Sequence, residues 1–315
     1  MKNPYKIVFM GTPSFAAKSL DMLCRRDYVP VAVYTQPDKV NGRGKKITFS
    51  PVKELAIKNN IPVYQPITFK DEAVIDELKK IKPDIIIVIA YGKILPGEVI
   101  EASRYGAINV HASLLPEYRG AAPIQRAVID RKEKTGITIM RLDSGMDTGD
   151  IVTMAEIEIG KHMTAGELFD ALSLLGAEEL IHVMDDLPEA LSNAVPQNHE
   201  KATYAEKVTK DMGHIDWSKP AIILDALIRG MYPNPGTYTF FRGKRIKIHK
   251  AFYKSFDTSS YTPGDVVSVK DGNIGIAASD GIIYITDLQP ENHKQMKAAD
   301  FINGYQVKEN DRFVF

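Results

Sequence analysis

"YKIVFMGTPSFAAKSLDMLCRR", residues 5–26, decides the fold. Residues 5–11 form a short apolar run ending in Gly11, which suits a strand buried in a parallel sheet. Residues 13–26 then read as a helix with Pro13 at its start. The pattern recurs along the chain. "VPVAVYT" (29–35) predicts a second strand. "SPVKELAIKNN" (50–60) predicts a helix with Ser50 as cap and Pro51 at the first helical position. "KDEAVIDELKKIK" (70–82) predicts a third helix, and "DIIIVIA" (84–90) a central strand. "AINVH" (107–111) and "APIQRAVID" (122–130) add another strand and helix. Strands alternating with helices imply an α/β fold: a Rossmann-like, mostly parallel sheet with helices on both faces. In such sheets ligands bind beyond the carboxyl ends of the strands.

Two further strands, "TGITIMRLD" (135–143) and "DIVTMAEIEI" (150–159), flank a Gly/Asp-rich loop. A long helix over 164–187 follows, opened by a capping box of Thr164 and Glu167. The stretch 188–208 has weak periodicity and reads as a linker. Beyond it come one helix, "PAIILDALIRGM" (220–231), and short β-like segments separated by Gly, Asp and Pro. These predict a small C-terminal β-barrel, OB-like in its plan. The expected division is a catalytic domain over 1–189, a linker over 190–208 and the barrel over 209–315.

A length of 315 residues also favours two domains. Lys+Arg and Asp+Glu both total 40, so no global positive field attracts nucleic acid, and any such binding must use local patches. The single cysteine, Cys24, excludes a disulfide framework and a paired-thiol zinc site, which fits a cytoplasmic protein. The histidines show no His-x-x-x-His spacing, and no metal is expected. The longest apolar run, residues 85–90, is too short for a bilayer. The N-terminal segment reads as a strand, not a signal peptide. "MGTPSFAA" has one glycine where a dinucleotide fingerprint needs three, so a nicotinamide or flavin function is not supported.

The chemistry concentrates in "INVHASLLPEYRGAAPIQRA", residues 108–127. Residues two apart on a strand share a face, so Asn109 and His111 point the same way. An amide can donate to a developing oxyanion, and an imidazole can donate or shuttle protons. Alone, Asn-x-His is more often a hydrogen-bonded strand end. "DSGMDTGD" (143–150) is the second candidate. Its Asp spacing does not fit an EF-hand, and Asp and Gly in loops are usually turn formers.

Taken together, Asn-x-His, Ser-Leu-Leu-Pro, Arg-Gly and the later "GMDTGD" resemble the signature of formyltransferases that use 10-formyltetrahydrofolate. The resemblance implies that Asn109, His111 and Asp147 are catalytic. It implies that Ser113, Leu114, Leu115 and Pro116 lie against the folate. "QPDKVNGRGKKITFSPVKELA" (36–56) resembles the basic insert of methionyl-tRNA formyltransferases. "TYAEKVTKDMGHIDWSKPA", "IRGMYPNPGTY" and "LQPENHKQMKAADFINGY" are similar to the linker and C-terminal domain of that family. The family often has an aromatic residue where Asn234 stands and a Gly-Lys-Lys run where "ENHKQ" stands at 291–295. The partners implied are a charged initiator tRNA and folate, with no membrane and no obligate protein partner. An aminosugar formyltransferase shares the two-domain plan and is the competing expectation.

The basic residues Arg43, Lys45 and Lys46 in the insert are then expected to meet tRNA, with Gly42 and Gly44 giving the backbone freedom to fit it. Lys207 and, on one face of a barrel strand, Arg245 and Lys247 are expected to support it. Solvated charge is the plainer reading of each cluster taken alone.

Overall fold

The computed structural model describes the backbone of residues 4–41 and 46–314, and the side chains of 4–39 and 47–314. Arg43 and Lys45 lie outside the described residues, as does the side chain of Lys46. Two compact units form. The first comprises Met1–Gly120, Lys134–Ile157 and Phe169–Ala205; the second comprises Ala121–Glu133, Glu158–Leu168 and Glu206–Phe315.

In chain order the elements start with β1 (Ile7–Gly11), α1 (Ser14–Arg25) and β2 (Ala32–Tyr34). A short antiparallel pair follows, β3 (Lys39–Asn41) with β4 (Lys46–Thr48), within the stretch that resembles the basic insert. Next come α2 (Pro51–Lys58), β5 (Val63–Tyr64), α3 (Glu72–Ile81), β6 (Ile85–Ile89), α4 (Gly97–Ile100) and β7 (Ala107–His111). Then come β8 (Arg119–Gly120), α5 (Pro123–Ile129), β9 (Lys134–Arg141), β10 (Ile151–Glu158), α6 (Ala165–Asp185) and α7 (Leu187–Ser192). The caps form as predicted. Ser50 Oγ accepts from the Lys53 amide at 3.1 Å. Thr164 Oγ1 accepts from the Glu167 amide at 3.2 Å, while Glu167 accepts from the Thr164 amide at 2.8 Å.

The main sheet of the first unit has the order β10-β9-β7-β6-β1-β2-β5. The strands from β7 to β5 run parallel, and β9 is antiparallel to β7. The chain leaves β1 towards β2 and β5, then returns to β6 on the other side. The topological switch point therefore lies between β1 and β6, and ligands of open α/β sheets gather near such a point. Gly11 closes β1 there for a steric reason. A Cβ on it would lie 2.7 Å from Ala16 Cβ and 3.0 Å from Ile89 O.

The stretch 188–208 is more ordered than its weak periodicity predicts. It holds the end of α7 and a strand, β11 (Tyr204–Ala205), paired in parallel with β8. Contacts assign 169–205 to the first unit, and they assign 121–133 and 158–168 to the second.

The second unit continues with α8 (Ala221–Met231), β12 (Thr237–Phe241), β13 (Lys244–Ser255), β14 (Val266–Lys270), β15 (Asn273–Ala277), β16 (Gly281–Pro290), β17 (Met296–Lys297), α9 (Ala298–Tyr305) and β18 (Phe313–Val314). Its antiparallel sheet runs β14-β15-β16-β13-β12-β18, with β17 beside β16. The sheet curls until its ends meet. The Val266 amide donates to Asp311 O, and the Phe313 amide donates to Gly264 O, both at 2.8 Å. This curl is the small barrel expected from the spacing of turns. Trp217, Phe241, Phe301 and Phe313 fill its core, with Ile246 and Ile248 pointing inward from β13. Among the described residues no helix is long and apolar enough to cross a membrane.

Candidate active site

β7 carries Ala107, Asn109 and His111 on one face and Ile108 and Val110 on the other. Ala107 joins the apolar cluster of Val8, Met10, Tyr34 and Val88. Asn109 and His111 follow it towards the carboxyl end of the strand, where an open α/β sheet presents its chemistry. The half-buried Asn109 carboxamide makes no hydrogen bond among the described residues.

His111 is 6% exposed, and both ring nitrogens have assigned surroundings. Nε2 lies 3.0 Å from Tyr118 O. A carbonyl only accepts, so this contact fixes the Nε2–H tautomer of the neutral ring. Nδ1, left with its lone pair, faces Asp147 Oδ2 at 3.7 Å. That is too long for a hydrogen bond but close enough for an ion pair once Nδ1 takes a proton. Asp147 stands in the left-handed region, at φ +54°, and its Oδ2 accepts the Gly120 amide at 2.7 Å. The structure thus brings the two separate sequence motifs, 108–120 and 143–150, onto one carboxylate.

The Ser113–Pro116 turn is set by Thr138, from the neighbouring β9. Thr138 Oγ1 donates to Ser113 O at 2.7 Å and accepts from the Leu115 amide at 3.0 Å. Ser113 and Leu115 are buried, and Ser113 Oγ donates to Glu117 O at 2.6 Å. Leu114 and Pro116 are the half-buried members of this turn. No metal-holding group of His, Cys, Asp or Glu occurs among the described residues.

The Arg-Gly of the signature marked Arg119, but its partners escaped the sequence reading. Arg119 is 2% exposed and Gln197 is 5% exposed. Arg119 Nε and Nη2 donate to Gln197 Oε1 at 3.2 and 2.6 Å, and Nη2 donates to His199 Nδ1 at 2.9 Å. Gln197 Nε2 donates to Asp147 O at 2.9 Å and Gly149 O at 2.7 Å. Thr203 Oγ1 accepts the Tyr118 amide at 2.9 Å. Three of these side chains lie between 197 and 203, and no apolar period marks that stretch.

Of the basic residues expected at a nucleic-acid surface, those with described side chains fall in the second unit. Lys207 and Lys247 are exposed. Arg245 is half-buried, its guanidinium 3.7 Å from the centre of the Tyr238 ring, which in turn stacks on His214. His249 follows on the same strand face, and burial first, then Lys247, holds its imidazole below the usual histidine range despite a bond to Gln289.

Two family models match the chain: "Formyl transferase" over residues 5–184 and "Formyl transferase, C-terminal domain" over 207–306. A methionyl-tRNA formyltransferase of Acetivibrio thermocellus is 44% identical over 306 residues, covering 97% of this chain and 98% of that protein. One from Caldanaerobacter subterraneus subsp. tengcongensis is 45% identical, covering 96% and 98%. Among solved structures, HypX from Aquifex aeolicus matches with a TM-score of 0.67 at 16% identity, covering 97% of this chain and 48% of that one. WlaRD, a sugar 3N-formyl transferase, matches with a TM-score of 0.64 at 21% identity, covering 92% and 98%. These two share the fold; the sequence relatives are what place the chain within the fold's several activities. The chain belongs to the formyl transferase family, and within it to the methionyl-tRNA formyltransferases.

Proposed function

We propose that this enzyme transfers the formyl group of 10-formyltetrahydrofolate to the α-amino group of methionyl-initiator tRNA, giving N-formylmethionyl-tRNA in the cytoplasm. The choice of substrates rests on the near-full-length likeness to methionyl-tRNA formyltransferases. The observation that carries the chemistry is His111 Nδ1 facing Asp147 at the end of β7.

The substrate amine has a pKa of about 8, so a neutral fraction is available near pH 7. It attacks the formyl carbon, and a C–N bond forms. The negative charge developing on the formyl oxygen is met by the uncommitted N–H groups of Asn109. The attacking nitrogen must lose one proton and the leaving folate nitrogen must gain one. His111 accepts the first at Nδ1, because Nε2 already carries a hydrogen committed to Tyr118 O. The imidazolium so formed is stabilised by Asp147, and the proton then passes to N10 of folate as the old C–N bond breaks. The folate lies along Ser113, Leu114, Leu115 and Pro116. Only Leu114 and Pro116 offer it side-chain surface; Ser113 and Leu115 shape the turn from within.

The functional domains in this reading are 1–189 for catalysis and 209–315 for tRNA support, with 190–208 joining them. Arg43, Lys45, Lys46, Lys207, Arg245 and Lys247 meet the tRNA phosphates. The direct test is incubation with 10-formyltetrahydrofolate and charged initiator tRNA, with detection of formyl-methionine. Formylation of a nucleotide-linked aminosugar in place of the tRNA would replace this reading with the competing one.

A further inference from the structure

Arg119 is a buried cation with an unusual partner. Among the described residues no carboxylate lies within ion-pair distance of it. Its guanidinium instead holds the neutral amide of Gln197 and the unprotonated Nδ1 of His199. A buried charge usually takes an opposite charge, so the choice of an amide needs a reason. The other end of Gln197 supplies it. The same side chain that accepts from Arg119 donates to the carbonyls of both Asp147 and Gly149. An amide accepts at one end and donates at the other; an ionised glutamate could do the first alone.

Those two carbonyls straddle Thr148 in the loop that presents Asp147. That loop combines a left-handed residue with a close backbone approach. Asp147 has a positive φ, sparsely populated by residues other than glycine. At Gly149 a Cβ would lie 1.9 Å from Arg141 O, so the loop is pressed against the end of β9. Arg119 also fixes the Gln197 amide the right way round. Two guanidinium donors on Oε1 leave Nε2 no orientation except towards the loop, and they polarise it as a donor.

We infer that Arg119 and Gln197 are positioning residues that hold the Asp147 loop so that its carboxylate faces His111. Gly120, next to Arg119, completes the arrangement by donating its amide to the Asp147 carboxylate at 2.7 Å. One dipeptide thereby sets the carboxylate directly and its backbone through Gln197. The functional part of this inference rests on the formyl-transfer reading above.

The test is Gln197→Glu, which keeps a partner for Arg119 and removes both donor bonds to the loop. Amide hydrogen exchange over residues 143–150 should quicken, with exchange in β1 and β6 unchanged. That readout does not depend on activity. Unchanged exchange over 143–150 overturns the inference, as does loss of protection throughout the first unit. In formylation of charged tRNA, kcat should fall by up to about a hundredfold while the KM for each substrate holds within about twofold. The Asp147→Asn background then separates positioning from general damage. There Gln197→Glu should cost less than about twofold further, because residues acting as a unit are not additive. A full further loss in that background overturns the inference. A wild-type chain that formylates no tRNA refutes the substrate reading alone, and the exchange result still decides whether Gln197 holds the loop.

Discussion

Replacing Thr138 by valine removes one hydroxyl and disconnects two backbone groups. Thr138 is fully buried, and its Oγ1 serves Ser113 O at 2.7 Å and the Leu115 amide at 3.0 Å. A buried backbone group left without its partner costs about 1–3 kcal/mol. The pair therefore sets a range of about 2–6 kcal/mol, from which the added methyl returns about 1 kcal/mol through apolar burial. A net loss of about 3 kcal/mol is expected for Thr138→Val. Thr138→Ser keeps both bonds and loses only a methyl, for about 1 kcal/mol. The assay must see the first unit. The chain's one tryptophan, Trp217, lies in the core of the second, so its fluorescence is the wrong probe. Amide exchange in β9 and equilibrium binding of folate report the right region. The valine variant should exchange faster in β9 and bind folate more weakly than the serine variant. Equal exchange and equal affinity for the two variants would refute the argument that this hydroxyl sets the Ser113–Pro116 turn.

Asn109→Ala should lower turnover by about 10²–10³-fold, as loss of an oxyanion donor does. His111→Ala should lower it by about 10²–10⁴-fold, and Asp147→Ala should also cripple it, all with tRNA binding retained in a filter-binding assay. Arg43→Ala should impair use of charged tRNA while folate affinity, measured by dialysis, stays unchanged. Gly136→Ala would place a Cβ 2.1 Å from Ala155 O and 2.5 Å from Leu114 Cδ2, so β9 and β10 must separate. Overpacking of that kind costs about 1–3 kcal/mol, seen as a lower melting temperature. Glu167 is held below its ordinary value of 4.5 by the Thr164 amide first, then by the Thr164 hydroxyl. A depressed carboxylate contributes stability that is present above its unfolded value and lost as pH falls through the folded one. Glu167→Gln should therefore be less stable than the wild type at neutral pH, and the gap should shrink as pH falls below 4.5 in acid titrations followed by circular dichroism.

Periodic burial made the sheet legible. Residues 7–11 and 85–89 are uninterrupted apolar runs because both faces of those strands are covered. Ser50 and Thr164 announced their helices because a cap is a local device, complete within four residues. The β3–β4 pair and the two-residue strands β8 and β11 left no trace, being too short and too polar to show a period. Asn109 and His111 could be placed on one face from spacing alone, and Asp147 was tied to them by resemblance to a family. Gln197 and Thr203 were beyond reach, and Arg119 was marked by the Arg-Gly of the signature without its partner. A buried polar side chain is defined by its partner, and here the partners are about eighty residues apart in sequence.

The pairing of β8 with β11 has a consequence for the order in which the chain is made. Chains emerge from the ribosome N-terminus first. Asn109, His111 and the Asp147 loop are all synthesised before Gln197, Thr203 and Tyr204, which tie that loop and the 118–120 segment in place. A nascent chain that stops at 189 has every residue of the proposed chemistry and lacks the contacts that Gln197, Thr203 and Tyr204 add to their geometry. The same holds for any fragment cut at the end of α7. The proposed constellation thus depends for part of its geometry on a later stretch of sequence that looks like a connector.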